Sequence, residues 1–310
     1  MEDIEFLPIE DMIFEHQLSL LSGSEITDWG LMHANIPLYH DNGVMGQGVT
    51  VAVLDTGISP HTDLDGNVVV PYSDTVGSDG IDRQGHGTHV AGIIGAIKNG
   101  SGIVGVAPAC KLIGVKVLGD NGHGGYASIE AGIQAAMDAG AHIINMSLGA
   151  SVEPPASLHQ KIIEAANRGI IIVAAAGNDS GAVNYPAKYP EIIAVGAIDE
   201  RGNLADFSSH GPEISVVAPG VNIYSTYLNN QFAVLRGTSQ ASPFIAGICA
   251  LLLSEDMQKN NGNRTILSVQ GMLEALDKIC DPKDNPDTDG KIEGNDTGLG
   301  IPKMKLFAKS

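Results

Sequence analysis

Short runs that are apolar at consecutive positions, rather than at every second one, recur along most of the chain. They are Val49–Leu54, Lys111–Leu118, His142–Ser147, Gly169–Ala175, Ile192–Gly196 and Ile214–Ala218. A strand that is apolar on both of its alternating faces is covered on both sides, as in a parallel sheet and unlike an antiparallel sheet with one wet face. Between these runs lie stretches with helical spacing. Ser128–Ala139 is apolar at Ile129, Ile133, Ala136 and Met137, and Ser157–Arg168 at Leu158, Ile162, Ala165 and Ala166. Apolar helices are also predicted after Gly85-His86, through Val90, Ile93, Ile94 and Ile97, and after Gly237-Thr-Ser239, through Leu253. Strand, helix and strand repeated in this way predict an α/β fold: a doubly wound, mostly parallel central sheet flanked by helices, with its site beyond the C-terminal ends of the strands.

Length and composition narrow the picture. With 310 residues the chain can bury a large core, and no Pro-rich linker or internal repeat divides it. We therefore expect one domain over residues 24–310, preceded by an extension, 1–23, that does not continue the strand-helix pattern. The extension is acidic, with a short apolar centre at Phe6-Leu7-Pro8-Ile9. Residues 281–297 read as an acidic Gly/Pro loop. The net charge of −19, from 36 acidic against 17 basic residues, opposes binding to nucleic acid or to anionic membranes, both of which need clustered Lys and Arg. No apolar run approaches the roughly 18 residues of a membrane span. Met1-Glu2-Asp3-Ile4-Glu5 has neither a basic nor an apolar region and does not read as a secretory signal. The 3 cysteines, Cys110, Cys249 and Cys280, follow no regular spacing, which fits a reducing cytoplasm better than a disulfide framework.

Four segments place chemically capable residues at the end of a predicted strand or the start of a predicted helix: Val53-Leu-Asp55-Thr-Gly57, Gly85-His86-Gly-Thr-His89, Ala175-Ala-Gly177-Asn178 and Gly237-Thr-Ser239-Gln-Ala-Ser-Pro243. Singly, each has an ordinary reading. An Asp after a strand is often a turn residue, and Gly-x-Ser before a helix is often a cap. His86 and His89 have an H-x-x-H spacing, but no third metal ligand accompanies them. Together they supply an acid, a base, a hydroxyl nucleophile and an amide donor at the strand ends of one sheet, the set that nucleophilic acyl transfer requires.

Val-Leu-Asp-Thr-Gly, Gly-His-Gly-Thr-His-Val-Ala-Gly and Gly-Thr-Ser-x-Ala-Ser-Pro resemble the three signature segments of the subtilisin-like serine peptidases, in that family's order. The likeness runs from about Trp29 to the Gly-Leu-Gly-Ile301 region. It includes Gly105-Val-Ala-Pro108, Asn145-Met-Ser-Leu-Gly149, Tyr185-Pro-Ala-Lys-Tyr-Pro190 and Val217-Ala-Pro-Gly220. The resemblance implies a serine endopeptidase with Ser239 as nucleophile, His86 as base, Asp55 orienting that base, and Asn178 donating to the oxyanion. One position departs from the family pattern: Gln240 stands where Met usually follows the nucleophile, which is expected to remove that residue's oxidation liability.

The same resemblance implies that polypeptide substrates lie extended between Gly122-His123-Gly124 and Ser147-Leu148-Gly149, an added-strand mode with little demand on sequence. It implies a pocket beside Gly177 with Asn184 at its floor and Asp179 at its rim. It further implies a structural Ca2+ held by the side chains of Asp63, Asn99 and Glu25 with carbonyls of Ile97, Ser101 and Ile103. The most similar members are the intracellular ones, whose short N-terminal extension covers the site, and Phe6-Leu7-Pro8-Ile9 resembles its covering element without the aromatic residue after Pro. Residues 1–23 are then expected to occlude the cleft and to be trimmed for activation by autoprocessing. Homodimerisation is left open. An esterase of α/β-hydrolase type is disfavoured because no Gly-x-Ser-x-Gly occurs, and a non-catalytic binding module because all four catalytic positions are filled.

Overall fold

The strand Thr50–Asp55 (β2) shows how the sheet is built: Val51 and Val53 face one apolar layer, and Ala52 and Leu54 face the other. The computed structural model describes residues 5–8, 24–280 and 297–305. Residues 9–23 of the extension and 281–296, which hold most of the acidic loop, lie outside the described residues. Besides β2, the central sheet contains β3 (Val68–Asp74), β4 (Lys111–Lys116), β6 (Ile143–Met146), β8 (Ile171–Ala175), β9 (Ile193–Ile198) and β10 (Val216–Pro219). Its order is β10-β9-β8-β6-β2-β4-β3, and every pairing is parallel.

Both faces are covered, as the doubly apolar strands require. One layer holds α3 (His86–Gly95), α6 (Thr238–Lys259) and α7 (Val269–Asp277); the other holds α4 (Tyr126–Asp138) and α5 (Ala156–Asn167). Helix α6 is buried continuously from Thr238 to Ser254, so it is a core helix and not an amphipathic surface one. The chain leaves β2 for β3 and β4 on one side, then returns through α4 to β6 on the other. The crevice this reversal opens lies at the C-terminal end of β2, the position of Asp55.

The predicted strands and helices form within two residues of their expected ends, except that α6 continues beyond Leu253 to Lys259. Elements the periodicity did not reveal are β3, the short helices α1 (Trp29–His33) and α2 (Ile36–Asp41), α7, and an antiparallel hairpin of β11 (Ile223–Tyr227) and β12 (Gln231–Leu235). The hairpin packs on α3 through two consecutive buried polar residues of β11. There Ser225 Oγ donates to the His89 carbonyl at 2.7 Å and Thr226 Oγ1 to the Thr88 carbonyl at 2.7 Å. A Cβ at Gly92 would fall 2.3 Å from Thr226 Oγ1, so the helix needs glycine there to admit the hairpin.

A second, smaller sheet crosses the crevice. The backbone of β1 (Glu5–Pro8) lies antiparallel between β5 (Gly124–Gly125) and β7 (Leu148–Gly149). Glu5 and Phe6 pair with Gly125 and Gly124, and Leu7 and Pro8 with Gly149 and Leu148.

His89 ties α3 to the hairpin: it is fully buried, and its Nε2 donates to the carbonyls of Ile223 and Ala233, each at 3.2 Å. Burial, assisted by the charge of neighbouring His86, pushes its pKa down from 6.5 to about 3. Burial also lowers His40 and His61. The unfolded chain therefore binds these protons more tightly, so stability is fully present above pH 6.5 and is lost as the pH falls toward 3. The urea midpoint is expected to drop between about pH 7 and about pH 4, and His89→Gln, which keeps a donor but cannot charge, to flatten that drop. A His89→Gln chain with an unaltered pH slope would show that this imidazole is not its source.

Candidate active site

Asp55 ends β2 with no exposed surface, and His86, 4% exposed, is the first residue of α3. A buried carboxylate is costly unless donors meet it. Here His86 Nδ1 donates to Asp55 Oδ1 at 2.7 Å, and the Thr56 amide donates to the same oxygen at 2.7 Å. For the pair to meet, the first turn of α3 must touch the end of β2. A Cβ at Gly87 would lie 2.1 Å from the Gly57 carbonyl and 3.1 Å from Asp55 Cβ. The glycine after His86 is thus a close-approach requirement. With Nδ1 committed to the carboxylate, the other ring nitrogen, Nε2, is the one available to take a proton.

Ser239 is the second residue of α6 and is fully buried. Its Oγ lies 3.4 Å from the Ser147 carbonyl, to which it donates. Pro243, inside the same helix, has no N–H for the carbonyl one turn back, which is that of Ser239. That carbonyl instead accepts from Ser147 Oγ at 2.9 Å. Ser147 Oγ in turn accepts from Asn145 Nδ2 at 2.9 Å and lies 2.9 Å from Ser242 Oγ. The residue carrying the hydroxyl is thereby fastened, through side chains, to the residue just before β7.

Asn178 follows β8 by a short turn. Its Oδ1 accepts from Thr238 N at 2.8 Å and from Thr238 Oγ1 at 3.0 Å, which fixes the amide's opposite end as the donor end. Thr238 Oγ1 also accepts from Gly177 N at 3.1 Å. The first N–H groups of α6 have no carbonyl one turn earlier, so this helix end is a region of donors and positive potential. Such an arrangement can take a proton from a hydroxyl and stabilise negative charge beside it, which is what acyl transfer asks of a site.

The expected substrate flanks are brought face to face across β1. The strand segment is Gly124–Gly125, so Gly122 and His123 precede it in the turn closed by the Gly122 N–H donating to the Gly119 carbonyl. Ser147, Leu148 and Gly149 are all buried. A Cβ at Gly177 would meet Ser209 Oγ at 2.5 Å and Asn184 Nδ2 at 2.7 Å, which sets Asn184 directly beside that glycine. Asp179 accepts from Ser209 Oγ at 2.5 Å.

The expected metal ligands also converge, with a different hydrogen-bond pattern. Asp63 Oδ2 accepts from Ile103 N at 2.7 Å, and Glu25 Oε1 from the amides of Asn99 and Gly100 at 2.8 and 3.0 Å. Asn99 turns its amide nitrogen to Asp63 Oδ1 at 3.3 Å, while its Oδ1 accepts from Ser101 N and Ser101 Oγ, each at 2.9 Å. Ile97 donates its N–H to the Asp63 carbonyl at 2.7 Å. Gly102 lets the loop close on Asp63, since a Cβ there would fall 2.0 Å from Oδ2. The donor set is two carboxylates and an amide, all hard oxygen ligands of the kind Ca2+ takes.

Three residues of this region were not legible as functional: Thr238, which holds Asn178, and Asp82 and Lys116, which lie buried near Asp55. Asp82 reads as one more polar residue in a loop. Lys116 carried a signal, a charged residue inside an otherwise apolar strand.

The chain is also similar in sequence to known proteins. The model of the subtilase family matches residues 46–275. M-protease of Shouchella clausii (strain KSM-K16) is 42% identical over 266 residues, which cover 84% of this chain and 69% of that protein. Subtilisin Savinase of Lederbergia lenta is 45% identical over 237 residues, covering 75% and 86%. Subtilisin DY of Bacillus licheniformis is 48% identical over 232 residues, covering 71% and 84%.

If Asn178 stabilises the oxyanion, Asn178→Ala is expected to lower kcat by about 10²–10³ with KM little changed, the magnitude known for the corresponding donor of subtilisin itself. Steady-state kinetics on a peptide anilide check it, and an unchanged kcat would remove Asn178 from the site.

Proposed function

The chain belongs to the subtilase family and is a serine endopeptidase acting on polypeptides, and from that premise we propose that it is an intracellular enzyme of broad specificity, held in check by its own N-terminal segment. Ser239 attacks the scissile carbonyl as His86 Nε2 takes its proton, and Asp55 holds the imidazole in the required tautomer and steadies its positive charge. Asn178 Nδ2 and the N–H of Ser239 receive the oxyanion. Return of the proton from His86 releases the amine, and water repeats the sequence on the acyl group at Ser239.

The observation that carries the regulatory part is β1, whose backbone pairs with both β5 and β7 in the antiparallel manner expected of an extended substrate. A chain segment seated there competes with substrate at the high effective concentration of a tethered ligand. Recognition through backbone hydrogen bonds supports breadth of specificity. Three free cysteines, all buried, support a reducing compartment, and burial raises each thiol above its ordinary pKa. Among the described residues no helix is long and apolar enough to cross a membrane.

A chain beginning at Ser24 is expected to hydrolyse casein at least about tenfold faster than the full chain and to label faster with a fluorophosphonate, both activities vanishing with Ser239→Ala. Equal rates for the full and shortened chains would defeat the inhibitory role of the segment. Profiling of the cleavage sites tests breadth.

Ca2+ bound by Glu25, Asp63 and Asn99, with carbonyls of Ile97, Ser101 and Ile103, would fasten the loop after α3 to the start of the domain. The ion supplies charge for two carboxylates now met only by N–H donors. Chelation is expected to lower Tm by about 3–5 °C, matching about 2–3 kcal/mol of linked binding, and Asp63→Ala to abolish that sensitivity. A Tm indifferent to chelator would dismiss the ion.

A further inference from the structure

Helix α3 must present His86 from its first residue, yet its N-terminal amides have no partners within the helix. Gly85, the residue before it, has φ 106° and no side chain to cap with. The accounting closes through three other side chains. His86 N donates to Gln84 Oε1 at 2.8 Å, Gly87 N to Thr56 Oγ1 at 3.0 Å, and Thr88 N to Asp82 Oδ2 at 2.9 Å. Thr56 is the residue after Asp55, so its hydroxyl joins the end of β2 directly to the turn that bears His86.

The hydroxyl is itself held. Thr56 Oγ1 donates to Asp82 Oδ1 at 2.9 Å, and the same oxygen accepts from Gln84 N at 2.9 Å and Gly85 N at 2.8 Å. Asp82 Oδ2 further accepts from Thr88 Oγ1 at 2.6 Å. Asp82 is only 2% exposed, and every one of its partners lies on Thr56 or on residues 84–88 around His86. From the other side, Lys116 Nζ, 1% exposed, donates to the Thr56 carbonyl at 2.7 Å, the Ile81 carbonyl at 3.1 Å and Asp120 Oδ1 at 2.6 Å. Thr56 is gripped at hydroxyl and carbonyl, and residues 81–82 at carbonyl and carboxylate.

We propose that Thr56 and Asp82 are positioning residues for the reaction: the Thr56 hydroxyl, oriented by Asp82, seats the first turn of α3 so that His86 meets Asp55 in the productive geometry. Neither residue touches the reacting atoms; both act through His86. The inference rests on the reading of His86 and Ser239 as base and nucleophile. Loss of the hydroxyl leaves the Gly87 amide without its acceptor and takes one of the donors from Asp82 Oδ1 inside a buried turn, and it lets the imidazole move relative to the serine. Misplacement of a catalytic group by about 1 Å costs about 10²-fold in rate.

The test uses the full chain and a short peptide anilide, with kcat expressed per site titrated by an irreversible serine reagent, so that a partly unfolded preparation does not lower the value. Thr56→Val, nearly isosteric but lacking the hydroxyl, is expected to lower kcat about 10–100-fold with KM changed less than about twofold. Thr56→Ser, which restores the hydroxyl, is expected to recover most of that loss. Asp82→Asn, which keeps the volume and one acceptor oxygen, is the second variant and is expected to lower kcat in the same way. A kcat per titrated site equal to that of the parent in either Thr56→Val or Asp82→Asn, whatever its Tm, would overturn the proposal, as would a Thr56→Ser chain no better than Thr56→Val. Hydrolysis that survives Ser239→Ala would instead defeat the underlying assignment of the nucleophile.

Discussion

A carboxylate with no exposed surface stands at the end of a strand that is apolar from Val51 to Leu54, and most of the site follows from how Asp55 is accommodated. An isolated buried charge is untenable, so donors have to be brought to it. The strand's own next amide supplies one and His86 the other. Bringing His86 there requires a helix to start against the end of β2, which requires glycine at position 87 and outside partners for the helix's first amides. The side chains of Thr56, Asp82 and Gln84 meet that need. The Asp55–His86 pair and the local fold are one solution to one electrostatic problem.

The nucleophile is fixed by a second constraint of the same kind. Pro243 deprives the Ser239 carbonyl of its helical donor, and Ser147 Oγ replaces it from the neighbouring strand end. The helix break thus couples the hydroxyl-bearing residue to the segment that leads into β7. Because β7 is also the edge along which β1 runs, the proposed substrate track and the proposed nucleophile are set by the same few atoms. On the far side, Thr238 holds the Asn178 carboxamide by its oxygen and leaves no freedom over which end donates.

These networks also divide what could be read from the chain. The layered α/β architecture was legible because strands covered on both faces must be apolar throughout, and Ile171–Ala175 and Ile193–Ile198 are. The hairpin β11–β12 was not, because the adjacent Ser225 and Thr226 interrupt its apolar run and are accommodated only by their hydrogen bonds to α3. Asp55, His86, Asn178 and Ser239 were legible as a set, since their residue types at strand and helix ends have one joint chemical use. Their supports were hidden: Asp82 looks like a solvated turn residue until folding buries it among its donors. The metal-site residues were foreseen as neighbours, but Asn99 turns its nitrogen to Asp63, an orientation that depends on Ser101 competing for its oxygen.

The sequence by itself determined the strands of the central sheet other than β3, the four chemical groups and the order in which they occur, because local periodicity and residue chemistry are properties of short segments. Only the tertiary structure decided that Thr56 and Asp82 meet at the first turn of α3, that Ser147 takes over a carbonyl freed by Pro243, and that Glu5–Pro8 lies between β5 and β7. Each of these joins residues far apart in the chain through buried polar groups. Their partners are set by what the packed core brings within hydrogen-bonding distance, and nothing in the local pattern specifies that.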